Sequence, residues 1–111
     1  VSECKGLAHP ASADSIPTSA GKEDFVSMGM GAALKLKQVA RNAAQVVAIE
    51  LCAAAQGIEF HRPLKSGTRV EQGLSILRST VKPTRGDESL SARLEAAREM
   101  ILDGSFETTF Q

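Results

Sequence analysis

The chain has 111 residues, of which 42% are apolar and 23% charged, proportions that suit one ordinary globular domain at most. Thirteen basic residues balance thirteen acidic ones, so charge gives no reason to expect binding to nucleic acid or to an anionic membrane. The N-terminus VSECKGLAHP lacks the features of a signal peptide, and no run reaches the roughly 18 uninterrupted apolar residues of a membrane span. Cys4 and Cys52 lie far apart, and neither cysteine nor histidine shows the spacing of a metal site. These features predict a reduced, soluble, cytoplasmic protein without a metal.

The N-terminal residues 1–21 are predicted to form an irregular but structured loop. Two X-Pro pairs and several small polar residues provide turn chemistry, and no helical or strand periodicity is sustained.

Residues 22–56 are predicted to form one long helix. Apolar residues recur at spacings of three and four, and no proline interrupts the pattern. We expect Ser19, Glu23 and Asp24 to cap its N-terminus, and Gly57 to cap its C-terminus.

The predicted long helix does not fit a domain of this size. A helix of roughly 33 residues is about 50 Å long, whereas a compact globule of this chain length has a radius of gyration near ~13 Å. The stretch VVAIELCAAA (46–55) is apolar on every side except at Glu50, and such a helix needs partners on every side. Either the chain oligomerises around this helix or it is part of something larger. Val1, which is not methionine, favours the second alternative.

Residues 57–111 are predicted to form a C-terminal helical region that completes one partial domain. A helix is expected over 69–80, where Thr68 and Glu71 have the spacing of a capping box. A further helix is expected over 90–103. The fold class is therefore all-α, with one long central helix and shorter helices around it.

The segment AHPASADSIPTSAGKEDFVSMG (8–29) resembles a pattern of histidine ammonia-lyases and related aromatic amino acid lyases and aminomutases. That pattern runs A-H-P-x-S-x-D-S-[IL]-P-T-S-A-x-Q-E-D-H-V-S-M. The resemblance continues through AIELCAAAQGIEF and RPLKSG and fades after about residue 80. Because it is far longer than a short motif, the chain is identified as similar to the C-terminal segment of a member of this family.

The resemblance implies a fold, an activity and partners. Family members are homotetramers whose long helices pack into a central bundle. They eliminate ammonia from histidine to give trans-urocanate, or from tyrosine or phenylalanine, with a methylideneimidazolone electrophile made from an internal Ala-Ser-Gly. This chain contains no Ala-Ser-Gly and no tyrosine to act as the family's base. We therefore expect the electrophile to form outside this chain, the chain alone to be inactive, and its partners to be the remainder of the lyase and sister subunits.

The resemblance also assigns a role to Glu23. This residue matches the glutamate of Q-E-D, which faces the substrate side chain, and is the expected catalytic and substrate-binding group. Asp24 and Ser27 are expected to fix the local backbone. Taken without the resemblance, Glu23, Asp24 and Asp14 are more simply interpreted as capping carboxylates at a loop–helix junction.

Two departures from the family pattern leave the substrate open. Lys22 stands where the pattern has glutamine and Phe25 where histidine members have histidine, and both are expected to contribute to substrate binding. Phe25 leaves a tyrosine or phenylalanine lyase or an aminomutase open, whereas Glu23 favours histidine because phenylalanine-specific relatives carry a neutral glutamine there. A hypothesis of another class is a non-catalytic helical oligomerisation module that kept the scaffold and lost the chemistry.

Overall fold

The computed structural model describes residues 1–13 and 15–107. Asp14, one of the expected capping carboxylates, and the last four residues of the predicted C-terminal region lie outside the described residues. Within these ranges the structure is helical, and its only extended pairing is an isolated bridge, so the predicted all-α class is confirmed there. The helices are α1 (Ser2–Leu7), α2 (Gly29–Phe60), α3 (Thr68–Thr80) and α4 (Ser91–Leu102).

The chain divides into two compact units, and the boundary between them lies inside α2. One unit ends at Ala43 and the other begins at Ala44. The predicted segments 1–21, 22–56 and 57–111 therefore do not coincide with the compact units. Polar side chains in the first part of α2 form hydrogen bonds with N-terminal residues. For example, Asn42 Nδ2 donates to Glu3 Oε2 over 2.9 Å.

The long helix α2 begins at Gly29, whereas the sequence predicted that it begins at Lys22. The residues before Gly29 are not free to turn into a helix because their backbone bonds to residues earlier in the chain. Glu23 N donates to Thr18 O over 3.3 Å, and Val26 N donates to Ser15 Oγ over 2.9 Å. The predicted capping of α2 by Ser19, Glu23 and Asp24 is therefore wrong.

At its other end α2 continues through Gly57 to Phe60. The predicted C-cap at Gly57 is wrong because Ile58 packs against the core of the second unit and stabilises one further turn. The helix ends just before Pro63, which has no N–H to continue the hydrogen-bonding pattern.

The N-terminal segment is more regular than predicted. It contains α1 and short 3-10 turns over Ala11–Ala13 and Ser19–Gly21. A helix of six residues such as α1 is too short to show a periodic pattern of apolar residues, so local sequence did not indicate it.

The shorter helices α3 and α4 lie within one residue of their predicted bounds. The predicted capping box at the start of α3 is wrong. Gly67, not Thr68, is the N-cap residue, and it has no side chain to cap the helix. The Glu71 carboxylate bonds instead to the residue before the N-cap, since its Oε1 accepts a hydrogen bond of 2.8 Å from Ser66 N.

The core of the second unit lies between the C-terminal half of α2 and the two helices that follow. The buried residues that α2 contributes to it are alanines, and Leu51, Cys52 and Ile58 of α2 pack against it while partly buried. Leu77 is fully buried at the centre of this cluster. The buried members are Ala48, Ala55, Leu74, Leu77, Val81, Ala97 and Met100.

By length and composition alone, α2 is apolar enough to cross a membrane. Core helices of soluble proteins share these properties. Glu50 interrupts its most apolar stretch, so α2 contains no uninterrupted apolar run of spanning length.

Candidate functional site

The candidate site is a tight turn in the first unit that joins Thr18 to Glu23. The two residues form an isolated antiparallel bridge. Thr18 N donates to Glu23 O over 3.0 Å, and Glu23 N donates to Thr18 O over 3.3 Å. This pairing fixes the backbone that carries the Glu23 side chain.

The backbone inside this turn is left-handed at three consecutive residues. The φ angles of Ser19, Ala20 and Gly21 are 53°, 57° and 83°. For residues with a Cβ this conformation costs roughly 1–2 kcal/mol each, so Ser19 and Ala20 are strained. Backbone strain of this kind persists only where surrounding structure enforces it, and it clusters at functional sites.

The Glu23 carboxylate is held on one side. Its Oε2 accepts a hydrogen bond of 2.8 Å from Thr18 Oγ1. Among the described residues, no hydrogen bond or ion pair to Oε1 is formed, and the Glu23 side chain is exposed. One carboxylate oxygen is thus available to accept a hydrogen bond from a ligand.

Ser15 fastens the chain immediately after Glu23. Its Oγ donates to Asp24 O over 3.3 Å and accepts from Val26 N over 2.9 Å. Asp24 therefore enters the local structure through its backbone carbonyl. Ser15 and Thr18 were not predicted as functional residues, because they lie in the motif among other small polar residues such as Ser12 and Ser19.

Of the other predicted substrate-binding residues, Lys22 lies within the turn and Phe25 lies two residues after it. Lys22 is exposed, and its backbone N–H closes the turn by donating to Ser19 O over 3.3 Å. Phe25 is 74% exposed, which is unusual for a phenylalanine in a fastened loop. Lys22, Glu23 and Phe25 are therefore all exposed, and their role in substrate binding stays a prediction.

Neither histidine side chain forms a hydrogen bond with this turn among the described residues. His9 bonds through its backbone, where its carbonyl accepts a hydrogen bond from the Lys35 ammonium and its N–H donates to Gly6 O. His61 is exposed in the connection after α2. Over residues 1–13 and 15–107, no three His, Cys, Asp or Glu side chains are grouped so that they could hold a metal ion.

The methylideneimidazolone expected from the resemblance cannot be formed by these residues. Its precursor is Ala-Ser-Gly, and the nearest sequences here are Ser19-Ala20-Gly21 and Lys65-Ser66-Gly67. Ser19-Ala20-Gly21 is already committed to the strained turn.

The second unit contains an apolar groove of about 560 Å³ between α2, α3 and the turn that follows α4. Titratable side chains occur among its lining residues only at Arg69 and Glu107. Such a surface is suited to packing rather than to proton transfer. Its apolar lining includes Val47, Leu51, Ile58, Val70, Leu74, Leu77, Ile101 and Phe106.

Comparison with known proteins identifies the class of molecule to which this turn and these helices belong. Residues 1–79 match the family model of the aromatic amino acid lyases. The chain therefore belongs to the aromatic amino acid lyase family.

Several relatives within this family are histidine ammonia-lyases. The chain is 49% identical to the histidine ammonia-lyase of Rhodospirillum rubrum over 106 residues, which cover 96% of this chain and 21% of that protein. It is 50% identical to the histidine ammonia-lyase of Mus musculus over 103 residues, which cover 93% of this chain and 16% of that protein. The crystal structure of histidine ammonia-lyase from Trypanosoma cruzi superposes with a TM-score of 0.91 at 40% identity, covering 97% of this chain and 21% of that one. The chain thus spans about a fifth or less of the length of these relatives.

Proposed function

We propose that these residues are part of a histidine ammonia-lyase, which converts L-histidine to trans-urocanate and ammonia in histidine catabolism. In this elimination the bond from Cα to nitrogen breaks, a proton leaves Cβ, and a carbon–carbon double bond forms. The observation that carries the proposal is the Thr18–Glu23 turn, which presents a carboxylate whose Oε1 has no hydrogen bond among the described residues. The turn lies in a chain that belongs to a family of lyases. The relatives named histidine ammonia-lyase support histidine as the substrate.

In the proposed site Glu23 binds and orients the substrate side chain. An imidazole N–H donates to a carboxylate oxygen in a charge-assisted bond, and a fixed bond of this kind holds the ring in one orientation. The electrophile and the proton-transfer groups would come from parts of the lyase outside these residues, including its Ala-Ser-Gly segment. The 111-residue chain alone would therefore be inactive.

The proposed assembly is a cytoplasmic homotetramer in which α2 packs against other helices rather than against lipid or nucleic acid. The support is a group of neighbouring apolar side chains that α2 leaves exposed in this chain, since such groups mark interaction surfaces. Val46, Val47 and Ile49 are each between 42% and 48% exposed. Native mass spectrometry of the complete protein tests this, and a monomer at micromolar concentration would contradict it.

The substrate is tested in the protein expressed from its complete gene, with histidine, tyrosine and phenylalanine assayed side by side. We expect histidine turnover, and Glu23→Gln should lower kcat/KM for histidine by roughly 10- to 100-fold, because a hydrogen bond to a charged group is worth about 1.5–3 kcal/mol. Loss of histidine turnover by Glu23→Gln with a normal melting temperature supports a substrate-facing role.

A second candidate is a tyrosine or phenylalanine lyase or aminomutase, favoured by the exposed Phe25, which stands where histidine-specific members have histidine. Turnover of tyrosine or phenylalanine without histidine turnover would establish it in place of the first. A stable oligomer that turns over none of the three substrates, from a gene without an Ala-Ser-Gly codon run upstream, would indicate the non-catalytic oligomerisation module.

A further inference from the structure

We infer that Thr18 is a positioning residue, whose hydroxyl holds the Glu23 carboxylate in the orientation that receives the substrate side chain. The inference rests on the proposed function, because it concerns the group that Glu23 would bind. It adds a residue that the resemblance did not assign to any role.

The contact that carries the inference is the hydrogen bond of 2.8 Å from Thr18 Oγ1 to Glu23 Oε2. A hydroxyl bonded to a carboxylate makes a shorter and stronger bond than one between neutral groups. An exposed glutamate side chain otherwise samples many rotamers. With Oε2 held, the direction of Oε1 is restricted, and Oε1 is the oxygen left to a ligand.

The position of the Thr18 hydroxyl is itself fixed. The backbones of Thr18 and Glu23 donate to each other at 3.0 and 3.3 Å, so the donor and the acceptor side chains start from paired positions. Threonine is β-branched, and its first side-chain torsion is therefore restricted. Thr18 is also half-buried, whereas Glu23 is exposed.

The side-chain bond is separable from the closure of the turn. The two backbone hydrogen bonds need only a backbone N–H and carbonyl at position 18, which every residue except proline supplies, so the hydroxyl bond mainly orients the carboxylate. Ser15 offers a contrast, because its Oγ bonds only to backbone atoms, at Asp24 and Val26. Thr18→Val keeps the β-branched shape and both backbone bonds and removes only the hydroxyl.

The test is a double-mutant cycle in the complete enzyme, with Thr18→Val, Glu23→Ala and the double variant. We expect Thr18→Val to lower kcat/KM for histidine roughly tenfold in the parent and by less than about twofold in the Glu23→Ala background. Thr18→Ser, which restores the hydroxyl, should recover kcat/KM to within roughly threefold of the parent. Thr80→Val, the same chemical change at an exposed position of α3, is the matched control and should leave kcat/KM unchanged.

The outcomes separate the inference from the function on which it rests. An equal loss of kcat/KM on Thr18→Val in both backgrounds would show a structural role and overturn the inference, whether or not the melting temperature also falls. An impaired Glu23→Ala enzyme beside an unimpaired Thr18→Val enzyme would overturn the inference alone. Full histidine turnover in Glu23→Ala would overturn the proposed role of Glu23 and the inference together.

Discussion

Arg62 and Glu71 form a bidentate pair, in which Nη1 and Nη2 of the guanidinium donate to Oε1 and Oε2 of the carboxylate over 3.0 Å each. The same carboxylate accepts the backbone N–H of Ser66 over 2.8 Å. One side chain of α3 therefore fastens both ends of the connection that follows α2. Bidentate geometry makes this pair more specific than an ordinary surface ion pair.

Glu71→Gln is expected to lower the thermal midpoint of the protein, because the amide can no longer accept both guanidinium bonds. The measurement is thermal unfolding followed by far-UV circular dichroism. Glu95→Gln is the control, since Glu95 is more exposed and pairs with Arg98 only three residues along α4. Equal midpoints for the Glu71→Gln variant and the parent would contradict the proposed fastening role.

Acid should remove the contribution of this pair. The hydrogen bond from Arg62, and then that from Ser66 N, hold the pKa of the Glu71 carboxyl below its usual value. A hydrogen bond from Arg93 lowers the pKa of Glu88 in the same direction. A carboxyl whose pKa is lower in the folded state contributes stability above its unfolded pKa, and that contribution is lost as pH falls through the folded pKa.

The stability difference between the parent and Glu71→Gln should therefore be constant above about pH 5 and shrink below about pH 4. Urea unfolding at a series of pH values measures this difference. A difference that persists undiminished at the lowest pH would show that the charge of Glu71 is not its source.

Leu77→Ala should destabilise the second unit strongly. The side chain is fully buried, with 0% exposed, and truncating a buried leucine costs about 2–5 kcal/mol. Leu102→Ala is the matched control, because Leu102 is 52% exposed and should cost under about 1 kcal/mol. The urea midpoints of the two variants compare them directly, and similar shifts would argue against the core described here.

Gly21→Ala should impair the turn that carries Glu23. Gly21 has a φ of +83°, where a residue with a Cβ costs roughly 1–2 kcal/mol. We expect histidine turnover by the complete enzyme to fall. Gly6→Ala is the control, because Gly6 lies in α1 with no neighbouring atom within 4 Å of an added Cβ. Parent-like turnover in Gly21→Ala would mean that the strained turn is not required.

Cys52 should react slowly with thiolate-directed reagents. Burial raises the pKa of the Cys52 thiol, and the positive charge of Arg78 offsets this only in part. Because the thiolate is the nucleophile, a raised pKa slows alkylation. Iodoacetamide labelling at pH 8, in a Cys4→Ser background so that only Cys52 is read, should be slower in the folded than in the urea-unfolded protein. Equal rates would contradict the burial of this side chain.

Local sequence was sufficient to predict α3 and α4. Their apolar residues repeat at helical spacing and their ends carry ordinary stop signals, so each element is determined by residues within it. The start of α2 was not predictable in this way. Its position at Gly29 depends on hydrogen bonds from Glu23 and Val26 to Thr18 and Ser15, which join residues that share no periodic pattern.

The candidate site was predicted only in part. The family resemblance drew attention to Lys22, Glu23 and Phe25, and the structure places Lys22 and Glu23 on the turn and Phe25 two residues after it. It could not indicate the bond from Thr18 to Glu23, because that bond requires left-handed backbone at Ser19 and Ala20. Neither residue has a preference for that conformation, so tertiary structure rather than propensity imposes it.

In the turn, the groups that position the Glu23 carboxylate are different from the exposed side chains of Lys22 and Phe25. Backbone pairing and the Thr18 hydroxyl place the carboxylate, whereas the side chains of Lys22 and Phe25 are exposed and take no part in this pairing. Under the proposed function, we expect positions 22 and 25 to tolerate substitution in a library while the backbone of the turn stays unchanged. Natural relatives with different residues at these two positions need not have rebuilt the loop to acquire them.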